Sequence, residues 1–91
     1  MQVFITNSAL KLLNQLPARA RSRVETKLKL LANNSTLGKK LKGQLKGLYS
    51  LRIWPYRAIY QLKITQDQAW VVAVLHRQGS YKHSSLVLHH P

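Results

Sequence analysis

Apolar positions along the chain follow two different spacings, and the change between them divides it. From Ala9 to Leu16 the apolar residues Ala9, Leu12, Leu13 and Leu16 recur at helical spacing, leaving Lys11, Asn14 and Gln15 outside. Pro17 follows. Its missing N–H is harmless in a first turn, so a second helix is expected to open there and run to about Ala32, with Ala20, Val24, Leu28 and Leu31 as its inner stripe. Ahead of both helices, Val3-Phe4-Ile5 is a short β-prone run, and Thr6, Asn7 and Ser8 can cap the helix that follows. Beyond Gly47 the period becomes two. In Leu48–Ile53, Tyr49, Leu51 and Ile53 share one face and Ser50 and Arg52 the other, the last two about 6–7 Å apart. Trp54-Pro55 reads as a turn. From Tyr56 to Ile64 the alternation resumes, with Arg57, Ile59, Gln61 and Lys63 on the second face, so the hairpin brings Arg57 back towards Arg52. Thr65–Gln68 is the next turn, and Ala69–Leu75 is apolar on both faces, as in a central strand. His76-Arg77 emerges at its end, and the three apolar residues of Ser84–Pro91 can dock on the sheet ahead of a tail that frays.

The resulting class is α+β: an N-terminal strand and an αα-hairpin packed on a mainly antiparallel sheet of about four strands. With 91 residues and neither a repeat nor a composition break, one domain over residues 1–91 is expected, with 84–91 as a flexible tail. Trp54 and Trp70 are expected in the core.

Between helices and sheet lies Asn33–Lys46, polar, glycine-punctuated and basic, which reads as a long loop. Leu37, Leu41 and Leu45 are spaced by four, so part of it is expected to coil, laying the leucines on the core and Lys39, Lys40, Lys42 and Lys46 outward. Gly38-Lys39 is not a nucleotide-binding loop, because the upstream glycine of that motif is Asn33 here and no Ser or Thr follows the lysine.

Charge changes the picture more than composition does. Fifteen Lys and Arg stand against two acids, Glu25 and Asp67, for a formal net charge of +13 on a chain with ordinary apolar content. That balance points to a polyanionic partner, with nucleic acid favoured. No apolar run approaches the roughly 20 residues of a membrane span, and MQVFITNS lacks a signal-peptide pattern, so a cytoplasmic protein without a membrane partner is expected. The absence of cysteine removes disulfides and thiolate metal sites. On the second helix, Arg19, Arg21 and Arg23 crowd the N-terminal turns, where the helix dipole disfavours cations by a few tenths of a kcal/mol each. Local stability did not select them. Arg19, Arg23 and Lys27 form a cationic stripe that suits RNA contact or, equally, solvent.

Arg52, Arg57 and Arg77 on or at the ends of the strands, with Tyr81 beyond, suggest a phosphate grip. Cleaving RNA by its own 2′-OH needs a base, cations for the dianionic phosphorane and a donor for the leaving oxygen. With one acid on a helix and the other in a turn, two-carboxylate and two-metal mechanisms are poorly supported, and neither metal nor small-molecule cofactor is expected. His83, His76 and Lys82 are the residues near that end that could transfer a proton, His83 slightly favoured because histidine titrates near neutrality.

A short strand, an αα-hairpin, a basic loop ending in LKG-LY, a YR-IY strand and an HR-x-x-x-Y ending stand here in that order. Over roughly Val3 to Tyr81 the chain thereby resembles the RelE/ParE superfamily of toxins from type II toxin–antitoxin pairs. The resemblance implies a RelE-like fold and a cognate antitoxin protein as partner. For the RelE type it implies a ribosome-dependent endoribonuclease that cleaves mRNA and so inhibits translation. For the ParE type it implies inhibition of DNA gyrase without nuclease activity, and a non-catalytic RNA-binding module is a further alternative. The RelE pattern falls on Ser50 and Arg52, Arg57, Arg77 and Tyr81. Arg57 and Arg77 would then stabilise the transition state, Arg52 would position the phosphate, and Tyr81 would stack on or orient a base or the nucleophile. Ser50 departs, standing where such toxins carry a lysine assigned to proton abstraction.

Overall fold

The computed structural model describes residues 1–76. Arg77, Tyr81, Lys82, His83 and the segment 84–91 lie outside the described residues. Strand β1 (Gln2–Ile5) leads into helix α1 (Asn7–Asn14), then α2 (Ala18–Leu31), β2 (Lys39–Lys40), β3 (Leu48–Ile53), β4 (Tyr56–Lys63) and β5 (Gln68–His76). Of the three capping candidates Thr6 is used, its side chain accepting from the Ala9 N–H at 3.2 Å, so α1 starts two residues before its first buried apolar position. Pro17 caps α2 through its backbone carbonyl, which accepts from the Arg21 N–H at 2.9 Å.

The strands form one sheet in the order β1-β5-β4-β3-β2, so β5 is an interior strand, as its two apolar faces demand. Pairing is antiparallel except between β1 and β5, which run parallel with Gln2 opposite Gln68 and Ile5 opposite Val71. Among the described residues the sheet thus has five strands rather than about four. The additional one is β2, formed by two lysines of the expected loop, Lys39 opposite Ser50 and Lys40 opposite Tyr49. The coil expected around Leu37, Leu41 and Leu45 is not formed. Leu41 instead donates its N–H to the Leu48 carbonyl at 2.9 Å, and a 3-10 turn spans Gly43–Leu45. Backbone pairing to the β3 edge satisfies these amides better than an isolated turn of helix would.

Both helices lie on one face of the sheet. Ala9 and Leu13 from α1 and Val24, Leu28 and Leu31 from α2 meet Leu51, Ile53, Ala58, Tyr60, Ala69, Val71 and Val74 in a single core. On a regular strand Val71 and Val74 would face opposite ways. They share the core because a bulge interrupts the register: Ile59 pairs with Ala73 but Tyr60 with Val71, leaving Val72 as the extra residue. The side chain of Tyr60 crosses the core to the segment after α2, where its hydroxyl donates to the Ser35 carbonyl and accepts from the Gly38 N–H, each at 2.9 Å. Burial raises the Tyr60 phenol above its ordinary value; the Gly38 hydrogen bond lowers it and nearby Tyr49 raises it. Gly38 is required there, since a Cβ would sit 2.7 Å from the Tyr60 ring and 3.0 Å from the Ser50 carbonyl.

Two expectations about tryptophan are corrected. Trp54 is 49% exposed, because a residue in the two-residue β3–β4 turn has no layer above it. Trp70 is half-buried, but outside the core cluster. Its ring stacks on Phe4 of the parallel neighbour at 4.7 Å between centroids.

Candidate nucleic-acid interface

Arg52 and Arg57 are directly opposed across the β3–β4 hairpin, one pair before the turn, with Leu75 of β5 next in the row. Opposed side chains on neighbouring strands have Cβ atoms about 5 Å apart, and a like-charged pair there is destabilising by itself. This row lies on the face away from the helices, since Leu51, Ile53 and Ala58 beside it point into the core. The two acids sit elsewhere. Asp67 is in the β4–β5 turn, where its carboxylate faces the N-terminal amine at 3.6 Å, and Glu25 lies on α2 beside Val3 and Ile5. From Arg57 to Lys63, at the Asp67 end of β4, the strand runs about 20 Å. Among the described residues neither acid belongs to the row of Arg52 and Arg57.

Ser50 shares this face but is 6% exposed, and its hydroxyl oxygen has no hydrogen-bond partner among the described residues. A buried hydroxyl cannot reach a substrate on the surface, so the vacancy of a base at Ser50 extends to its geometry. In the register Lys39 of β2 stands opposite Ser50 and is exposed, which places a lysine on the same face within one strand of the arginine row. Lys40, Lys42 and Lys46 are exposed as expected. His76 pairs with Tyr56, its ring edge-on at 5.4 Å, and thus points to the opposite face from Arg57. The structure does not bring it together with the arginine pair.

The helix stripe and the hairpin, distant in sequence, meet. Arg23 reaches from α2 to donate to the Trp54 carbonyl at 3.1 Å, while the Arg52 guanidinium lies 5.1 Å from the centre of the Trp54 ring. Ser22, Arg23, Thr26, Lys27, Arg52, Ile53 and Trp54 line a groove of about 530 Å³ between helix and hairpin. Arg19 is exposed on the same helix face but does not line it. Sequence reasoning missed Trp54, although its place beside Pro55 in a two-residue turn was the available signal.

Residues 3–81 match the family model described as the ParE toxin of the type II toxin–antitoxin system parDE. The chain belongs to this family, within the RelE/ParE superfamily of toxin–antitoxin toxins. Toxin RelE of Mycobacterium tuberculosis is 34% identical over 82 residues, covering 88% of this chain and 84% of that protein. The toxin in the crystal structure of the RelBE2 toxin–antitoxin complex from Mycobacterium tuberculosis is 28% identical with a TM-score of 0.79, over 84% of this chain and 96% of that one. A mutant of E. coli toxin RelE in the free state shares the fold, with a TM-score of 0.78 at 22% identity over 99% of this chain and 97% of that one. Among the described residues no helix is long and apolar enough to cross a membrane.

Proposed function

We propose that the protein is a RelE-type toxin that cleaves mRNA at the ribosome by metal-independent attack of the 2′-OH, and that a cognate antitoxin holds it inactive by covering its basic face. The observation that carries this reading is the opposed Arg52–Arg57 pair beside the turn of the hairpin. Two guanidinium groups brought side by side match a group that gathers negative charge, as the phosphorane does. Arg57, half-buried and tied into β4, stabilises that charge; Arg52 at the exposed edge positions the phosphate. Arg77 and Tyr81 complete the set in the same roles that the RelE pattern gives them. Lys39, Lys40, Lys42 and Lys46, with Arg19, Arg23 and Lys27, supply the wider field for RNA. Proton transfer falls to His83, His76 or Lys82; the orientation of His76 away from Arg57 makes it the weakest of these. The antitoxin is supported by the similar toxin found in the RelBE2 toxin–antitoxin complex.

Primer extension on a reporter mRNA, with and without ribosomes, tests the reading. Discrete cuts that need ribosomes and disappear in an Arg57→Ala, Arg77→Ala double variant are expected. Undiminished cutting by that variant would remove the site assignment. The ParE description of the matched family keeps one rival in view. A gyrase-binding toxin would leave mRNA intact and inhibit supercoiling whether or not those arginines are present.

A further inference from the structure

The geometry points to a second element of substrate recognition: the groove between α2 and the hairpin is a nucleotide subsite, in which one RNA base stacks on Trp54 while Arg23 and Lys27 hold a neighbouring phosphate. This rests on the reading of the chain as an RNA-cleaving toxin and extends it to the nucleotides flanking the cut.

Three features select this occupant. Trp54 keeps 49% of its surface open, an unusual exposure for the largest aromatic side chain, and lies in a turn where it has no core to fill. Its ring offers a flat platform of the sort on which single-stranded bases stack irrespective of sequence. Around it the groove carries Arg23, Lys27 and Arg52 and, among the described residues, no carboxylate, which suits a ligand that brings negative charge. Arg23 is fixed by its hydrogen bond to the Trp54 carbonyl, which holds a cation beside the platform rather than leaving it to sweep through solvent. The third feature is continuity. Arg52 belongs both to the groove lining and to the row opposite Arg57, so a strand whose phosphate sits at the arginine pair passes next to Trp54. The groove can open here because β2 pairs only with Tyr49 and Ser50, leaving Leu51 to Ile53 as sheet edge among the described residues.

The full chain is titrated against a fluorescein-labelled single-stranded RNA nonamer made uncleavable by 2′-O-methyl groups, and against the same RNA with one abasic nucleotide moved along it, using fluorescence anisotropy. Trp54→Ala is expected to weaken binding about tenfold and Trp54→Phe to recover most of that loss. At one abasic position the wild type and Trp54→Ala should bind alike, because the base that stacks is gone. Lys27→Gln is expected to lower the slope of log affinity on log salt by about one. Two results overturn the inference: Trp54→Ala binding every RNA as the wild type does, or its loss persisting at every abasic position. Trp54→Ala that binds RNA normally but loses the antitoxin would assign the groove to protein and overturn it as well. Failure of the broader reading looks different: the wild type would leave mRNA uncut while the Trp54-dependent, base-dependent binding remained.

Discussion

The two ends of β4 carry the same pair of groups and use them differently. At the Lys63 end its ammonium lies 5.0 Å from the Trp70 ring; at the Arg57 end the guanidinium of the neighbouring Arg52 lies 5.1 Å from the Trp54 ring. Trp70 is half-buried against Phe4, and its indole N–H donates to the Gln68 side chain at 2.9 Å, so its polar and apolar surfaces are both engaged. Trp54 sits at a turn, half open, with cations arriving from the helix as well as the strand. A cation over an aromatic ring therefore does not mark a site. What separates the ends is that one ring joins β1 to β5 while the other lies beside the opposed Arg52 and Arg57.

Substitutions at the two ends should separate accordingly. The largest effect expected is at the arginine pair: Arg57→Ala or Arg52→Ala should lower the rate of mRNA cutting by about 10²–10³-fold, the usual cost of losing one preorganised donor. The melting temperature of Arg52→Ala should change little, since Arg52 is exposed. A large fall in melting temperature would instead make the pair structural. At the other end Trp70→Ala should cost about 2–3 kcal/mol in chemical denaturation, through lost stacking and burial, without changing the cutting rate of the folded fraction. Between the ends, Tyr60→Phe removes a hydroxyl that serves both Ser35 and Gly38 and should cost about 1–3 kcal/mol by the same measurement. The raised Tyr60 value also fixes a sign. Its contribution is fully present below the phenol's ordinary value of 10.0 and is lost as pH rises through the higher folded value, so Tyr60→Phe should flatten the alkaline fall in stability. Smallest of all, Lys63→Gln should change stability by less than about 1 kcal/mol and leave cutting unaffected.

The elements that follow from local pattern were legible. Ala20, Val24, Leu28 and Leu31 are all buried, because a helical stripe depends only on spacing within one element. Arg52 facing Arg57 was legible too, since a two-residue turn at Trp54-Pro55 leaves a single register. The family is legible from landmarks spread over nearly the whole chain. Other features depend on contacts that no local spacing encodes. Lys39-Lys40 is too short a strand to have a period, and the bulge at Val72 is invisible in a run where every residue is apolar. Trp70 was assigned to the core because its partner, Phe4, is reached only through the parallel pairing of β1 with β5. The groove escaped for a similar reason, being made by Arg23 and Trp54, 31 positions apart.

The parallel pairing of the first strand with the last described one also bears on the order in which the protein is made. Gln2 to Ile5 leave the ribosome first but find their partners only when Gln68 to Val71 have followed. A nascent chain shorter than this holds an unclosed sheet, and contacts of such separation form late and slowly. Strand β1 thus closes onto the sheet only after the strands between it and β5 have been made. Chains stalled on the ribosome before β5 emerges should be readily cut by protease near Val3, and those stalled after it should resist.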